Sequence, residues 1–322
     1  MNPKRTYKIF ALVAGGLFGI AGCGGSSSDQ AEATGFLTLG ISDGAIHDAD
    51  KICIAFDEVE LKGQGAPIMI YPTENPGDVV IINLLDFQGA NAVPLLFNEE
   101  IPAGEYNWLR LGVNADRDSM GGTGTGGDTC AGNHSYIQMA DGMTYNLYIP
   151  SGEESGLKFV NGITIPANRT ATYTAEFDLM LSIRDKPGPD PDVRLRPTVR
   201  LVNDIEVGTL TGMVDKTLAT DSVCQEAGNG PSVYVFDDGI TPNSMDVDPA
   251  VDDPIATAMV EEQMHDDGTT TWNYTVGFLL AGEYEVAFTC DGQTFVPTAG
   301  KPATIVAEEL ETVPFTIDDI EP

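Results

Sequence analysis

Ala171-Thr172-Tyr173-Thr174-Ala175-Glu176-Phe177-Asp178-Leu179-Met180-Leu181-Ser182-Ile183 carries an apolar side chain at every second position. Ala171, Tyr173, Ala175, Phe177, Leu179, Leu181 and Ile183 fall on one face, and Thr172, Thr174, Glu176, Asp178 and Ser182 on the other. Successive side chains of an extended chain point to opposite sides, so a period of two marks a strand with one buried face. An amphipathic helix would repeat at three and four instead. The stretch predicts a long antiparallel strand that covers a core with one face and meets solvent with the other.

The same period runs outward in both directions. Upstream, Ile52, Ile54 and Phe56 alternate with Cys53 and Ala55, and Leu109, Leu111 and Val113 share a face. Residues 79–85 form an apolar run interrupted only by Asn83, the pattern of a strand buried on both sides. Downstream, a turn with three prolines at 185–192 leads to Val193, Leu195, Val199 and Leu201 on one face and Arg194, Arg196 and Arg200 on the other. The arginines offer either an anion-binding face or a cross-strand ladder with acids such as Glu176 and Asp178. In so acidic a chain the ladder is the favoured reading.

A second strand series opens at residues 209–214 and continues through 233–236. Asp266-Asp267-Gly268 is a favoured tight turn between 256–263 and 271–280, with a short helix at 255–265 as the weaker alternative. Ile101-Pro102-Ala103-Gly104-Glu105-Tyr106 is echoed by Leu279-Leu280-Ala281-Gly282-Glu283-Tyr284, a Gly-containing turn feeding a strand that begins with an aromatic. The echo suggests one architecture used twice. The expected fold is all-β, two β-sandwich modules in series of immunoglobulin-like or transthyretin-like type, at 35–205 and 206–322.

The N-terminus has a different character. Lys4, Arg5 and Lys8 precede an apolar stretch at 9–20 and the tetrapeptide Ile20-Ala21-Gly22-Cys23, which resembles the lipobox of a bacterial secretory signal. That resemblance implies a signal peptide at 1–22, cleaved before Cys23, with the cysteine acylated. A dozen apolar residues are too few to span a bilayer, which takes about 20. Residues 23–34, with Gly-Gly-Ser-Ser-Ser, read as the lipidated Cys and a flexible tether. Gly24 in place of Asp points to the outer membrane by resemblance to sorted lipoproteins, facing the periplasm or the cell surface.

Setting Cys23 aside leaves Cys53, Cys130, Cys224 and Cys290, which allow three pairings. With the modules divided between Cys130 and Cys224, one bridge per module is the economical choice, and an exported protein permits it. Buried free thiols are the rival reading. The formal charge is −33, and loss of the leader's three basic residues makes it more negative. Such a field repels phosphate backbones, which argues against nucleic acid as a partner and favours cations.

Gly35-Phe36-Leu37-Thr38-Leu39-Gly40-Ile41-Ser42-Asp43, Asn83-Leu84-Leu85, Ile101-Pro102-Ala103-Gly104-Glu105-Tyr106, the run at 149–158, Phe177-Asp178 and Leu195-Arg196-Pro197 together resemble the DUF4382 family of bacterial envelope lipoproteins. The resemblance covers about 35–205 and implies a β-sandwich on an exported lipoprotein. It supplies no catalytic residue. The Gly-rich insertion at 120–132 departs from it. The second module is similar in outline to carboxypeptidase-regulatory-like or transthyretin-like sandwiches, through Gly208-Thr209-Leu210-Thr211-Gly212 and Leu280-Ala281-Gly282-Glu283-Tyr284-Glu285-Val286.

Catalytic patterns are weak. Gly40-Ile41-Ser42-Asp43-Gly44 fits G-x-S-x-G, but no α/β alternation surrounds it and the chain has only three histidines. Gly122, Gly124 and Gly127 fit G-x-G-x-x-G with no helix behind them. Glu153 and Glu154 are adjacent and would point to opposite sides of a strand. Asp237, Asp238, Asp246, Asp248, Asp252 and Asp253 crowd one Gly/Pro-rich loop and offer Ca²⁺ hard oxygen ligands, though without EF-hand spacing. Tyr106 with Trp108, and Trp272 with Tyr274, form aromatic pairs that can stack a sugar or a protein partner if exposed, or else pack inward.

The function expected from these residues is a non-catalytic envelope lipoprotein, held to the membrane by its lipid and displaying binding loops to an envelope protein or glycan. An envelope glycan hydrolase and a calcium-stabilised adhesion or matrix protein are the alternatives.

Overall fold

The computed structural model describes residues 33–44, 46–47, 49–116, 130–149, 156–183, 192–226, 230–242 and 253–320. Strand dominates their regular structure, at 57% against 9% helix. They form two face-to-face sheet pairs and a two-stranded ribbon of Gly104–Tyr106 with Ile163–Ile165, and residues 33–322 belong to one compact unit.

The opening stretch lies in the first pair, in a four-stranded sheet ordered Val199–Asn203, Thr170–Asp178, Thr34–Gly44, Val93–Pro102. Two features differ from the sequence reading. Thr170–Asp178 runs parallel to Thr34–Gly44 and antiparallel only to Val199–Asn203. The strand also ends at Asp178 rather than Ile183, because the Asp178 side chain accepts a hydrogen bond from Leu181 N (2.9 Å) and caps the short helix Leu179–Ser182.

The facing sheet is built around Ala49–Lys62, which pairs with Ile68–Ile70, Val80–Asn83, Trp108–Val113 and Tyr136–Met139. So many neighbours leave no solvent face, and Ile52 through Phe56 are fully buried. Phe56 meets Phe177 edge to face across the sandwich, ring centroids 6.3 Å apart.

The second sandwich stacks the sheet Glu261–Met264, Thr270–Leu280, Val207–Val214, Leu310–Thr312 on the sheet Ala256–Met259, Ser232–Asp237, Gly282–Thr289, Phe295–Ile305. Its core gathers Leu210, Val233, Val235, Tyr274, Val286 and Phe315. Asp266-Asp267-Gly268 turns the hairpin, with Gly268 at φ +79 and Asp267 Oδ1 accepting from Thr269 N. The segment 255–265 is two strands rather than a helix, and the chain crosses from one sheet to the other at Val260.

The hexapeptide echo has a structural counterpart. Tyr106 Oη donates to the Pro102 carbonyl (2.7 Å) and Tyr284 Oη to the Leu280 carbonyl (2.8 Å), four residues back in each case. Each is a tyrosine corner of the kind that pins the turn between strands of a sandwich. Each sheet pair also holds one disulfide, Cys53–Cys130 and Cys224–Cys290, spanning 77 and 66 residues. Closing loops of that length stabilises by about 4 kcal/mol in the chain-entropy account.

A third apolar cluster joins the two sandwiches. Met180, from the short helix of the first, packs among Tyr234, Phe236, Ala287 and Phe295 of the second. The Phe236 and Phe295 rings lie edge to face at 5.7 Å.

Candidate functional site

The polar face of Thr170–Asp178 is closed off from solvent from Thr174 onward. Glu176 is 4% exposed and Asp178 1%, and Thr174 and Ser182 are equally hidden. What covers this end of the sheet is the strand Ala256–Met259 of the second sandwich, whose Thr257 Oγ1 donates across both oxygens of Asp178 (2.9 and 3.0 Å). The period of two marks which residues share this face. It cannot report a covering strand that arrives 79 residues later.

Three carboxylates converge on this seam. Arg200, directly opposite Glu176 in the sheet, donates from Nε and Nη2 to Glu176 Oε2 at 3.0 and 2.8 Å. The arginine face is a cross-strand ladder at this position. Asp178 is held by Thr257 and by the Leu181 amide. Asp43, at the end of the neighbouring parallel strand, is 1% exposed, and neither of its oxygens completes a hydrogen bond.

Burial sets the proton affinity of the group. It pushes the Asp43 carboxyl well above the usual range, and the charges of Asp178 and Glu176 push it further against a partial pull from the Leu179 and Gly44 amides. Burial, then Glu176, raises Asp178 to about 7. Burial also raises Glu176, with Arg200 pulling it back. Raised acids favour folding while protonated. Their contribution is full below the ordinary value near 4 and is lost as pH rises through about 7. Urea denaturation is therefore expected to show stability falling between pH 5 and pH 8, and Asp43→Asn is expected to flatten the slope. An equal slope in the variant would remove Asp43 from the cause.

Beside the seam lies a cleft of about 580 Å³ between the sandwiches. Asp43 and Glu176 contribute from the first sandwich with Asp86; Glu261 and Glu262 contribute from the second, with Gly277 at the closest approach. A Cβ at Gly277 would sit 2.3 Å from the Gly89 carbonyl, so only glycine permits this contact.

The residues singled out from sequence lie elsewhere for the most part. Tyr106, Trp272 and Tyr274 are buried in the cores, which corrects their reading as a ligand face in favour of inward packing, because each joins the apolar cluster between its two sheets. Tyr274 Oη donates to the Val313 carbonyl (2.6 Å), and burial raises its pKa. Trp108 alone of the four is half-buried, with Lys158 Nζ 4.3 Å from its ring centre. Asp237 and Asp238 are exposed and Asp253 is half-buried, whereas Asp246, Asp248 and Asp252 lie outside the described residues, as do Cys23, Glu153, Glu154 and the glycines at 122–127. Among the described residues no three His, Cys, Asp or Glu side chains are arranged to hold a metal. Ser42 is buried and donates to the Asn91 carbonyl (2.6 Å), with the Phe87 carbonyl at 3.2 Å. The histidines are engaged apart from it, His47 near Ser232, His134 near Asp116 and His265 on Thr271. Asp43 and Asp178 escaped the sequence reading as a site. Their one signal was a carboxylate ending an apolar strand.

Residues 34–197 match the family model described as a domain of unknown function, DUF4382. No curated protein matches the chain in sequence. Among solved structures the chain is similar to a candidate adhesin from Bacteroides ovatus, at 8% identity over 93% of this chain and 96% of that one, TM-score 0.17. It is also similar to the major pilin of Streptococcus pyogenes, at 12% identity over 88% and 97%, TM-score 0.15.

Proposed function

Because the chain belongs to the DUF4382 family through residues 34–197, we propose that it is a non-catalytic, lipid-anchored envelope protein that holds a rigid two-sandwich body at the outer membrane for binding or structural display. The observation that carries this reading is the joint between the sandwiches. Thr257 on Asp178, Met180 among the aromatics and the Gly89–Gly277 contact hold the two sheet pairs as one body with a polar cleft. Two disulfides suit an oxidising compartment outside the cytoplasm. The lipobox at 20–23 supplies the anchor, since two or more acyl chains are enough for stable attachment. Ser42 serves the fold, its hydroxyl committed to a carbonyl.

Cell fractionation tests the anchor. The native chain is expected in the outer-membrane fraction, and Cys23→Ser in the soluble fraction. Membrane retention of Cys23→Ser would overturn the anchor.

A further inference from the structure

The cleft between the sandwiches is walled by acids from both sides. Asp43, Asp86, Glu176, Glu261 and Glu262 line it, and among the described residues no Lys, Arg or His does. Many acids among the described residues face open water, where a negative charge is well solvated. Asp43 is different. It is 1% exposed, lies against the cleft, and leaves both carboxylate oxygens without a completed hydrogen bond. Its neighbours each have a donor, Arg200 on Glu176 and Thr257 on Asp178. A buried acceptor without a donor is costly, and the missing donor is one the cleft can admit.

We propose that this cleft binds a small linear polyamine, with one ammonium group seated on Asp43 and the others on the carboxylates along the walls. An ammonium brings three donors and a positive charge, the complement of an unpaired carboxylate. A divalent metal fits less well, since Ca²⁺ gathers six to eight oxygens about one point. No three acidic or imidazole side chains are so arranged among the described residues. A cleft of about 580 Å³ is of small-ligand size, and charge spread along it suits spaced amines better than a single ion. The titratable groups around a bound amine are Asp43 and Glu176 from the parallel pair, with Asp178 beside Asp43 and Arg200 behind Glu176, Asp86 from the turn after Val80–Asn83, and Glu261 and Glu262 from the crossing strand. Protonation of Asp43 opposes binding, so affinity rises with pH.

This inference rests on the binding reading above and deepens it. The test is isothermal titration of the purified mature chain with spermidine at pH 8 and pH 5, with Ca²⁺ as a parallel titrant. One saturable site is expected, tighter at pH 8, weakened at least tenfold by Asp43→Asn and unchanged by Asp238→Asn on the exposed surface. If Asp43→Asn fails to fold, Glu261→Gln/Glu262→Gln is expected to weaken binding in its place. No heat with spermidine, or binding equal in the Asp43 and Asp238 variants, would overturn the proposal. Saturable Ca²⁺ binding that depends on Asp43, with none for spermidine, would overturn it in favour of a metal. The two readings fail separately: loss of the anchor leaves the spermidine isotherm intact, and turnover of bound spermidine would end the non-catalytic reading while keeping the site.

Discussion

Arg200→Met is expected to destabilise the chain by about 3–5 kcal/mol at pH 8, the usual cost of leaving one partner of a buried ion pair alone. Arg200 is the cation that holds Glu176, through two hydrogen bonds to one oxygen, while Glu176 is almost fully buried. The Met side chain can fill the stem of the lost arginine but cannot neutralise the carboxylate. At pH 5 the loss is expected to shrink, because Glu176, already raised by burial, takes up a proton once Arg200 no longer opposes it. Adding Glu176→Gln to Arg200→Met is expected to recover at least half of the loss at pH 8, since a neutral amide replaces the stranded charge. Urea denaturation of the three proteins at both pH values checks this. A loss that is independent of pH and unrescued by Glu176→Gln would mean that Arg200 acts through packing alone.

Gly277→Val is expected to part the sandwiches without unfolding either. The added Cβ would meet the Gly89 carbonyl at 2.3 Å and the Ala90 Cα at 2.8 Å, both backbone atoms that cannot swing aside. Gly89 itself sits at φ +67, which fixes the shape of the opposing turn. Each sandwich retains its own core and its own disulfide. The strain, about 1–3 kcal/mol for an overpacked contact, is therefore relieved most cheaply at the joint. Calorimetry is expected to show one transition for the native chain and two for the variant, with a larger radius of gyration in solution scattering. A single transition at an unchanged radius would show that the joint tolerates the side chain.

The strand nature of residues 171–178 was legible because alternation is a local property, and so was the inward aim of Tyr173, Ala175 and Phe177. The fate of the opposite face was not. Thr174, Glu176 and Asp178 are ordinary solvent-facing residue types, and contacts from residues distant in sequence, Thr257 on Asp178 among them, make them interior. The end of the strand was hidden for a related reason. Leu179, Leu181 and Ile183 keep the period of two, yet Asp178 caps the next turn and the chain curls there. The tyrosine corners were visible as a repeated Ala-Gly-Glu-Tyr, because the bond reaches only four residues back.

The aromatic pairs show the opposite limit. Alternation assigned Trp272 and Tyr274 to one face of a hairpin correctly, but left that face either inner or outer. That choice depends on which sheet covers the hairpin, and both rings are buried. The cleft had no sequence signature at all. Its lining comes from separate turns and strands around residues 43, 86, 176, 262 and 277, which meet only when the two sandwiches dock.

That docking is the centre of the account, and a distance measured across the joint tests it most directly. Phe97 in the first sandwich and Met264 in the second are both largely exposed, at 75% and 79%, so each accepts a nitroxide-bearing amino acid without disturbing a core or a disulfide. Pulsed electron double resonance on the doubly labelled chain is predicted to give one narrow distance distribution that Gly277→Val broadens. A broad distribution in the native chain would contradict it, showing two sandwiches that move independently and a cleft without fixed walls.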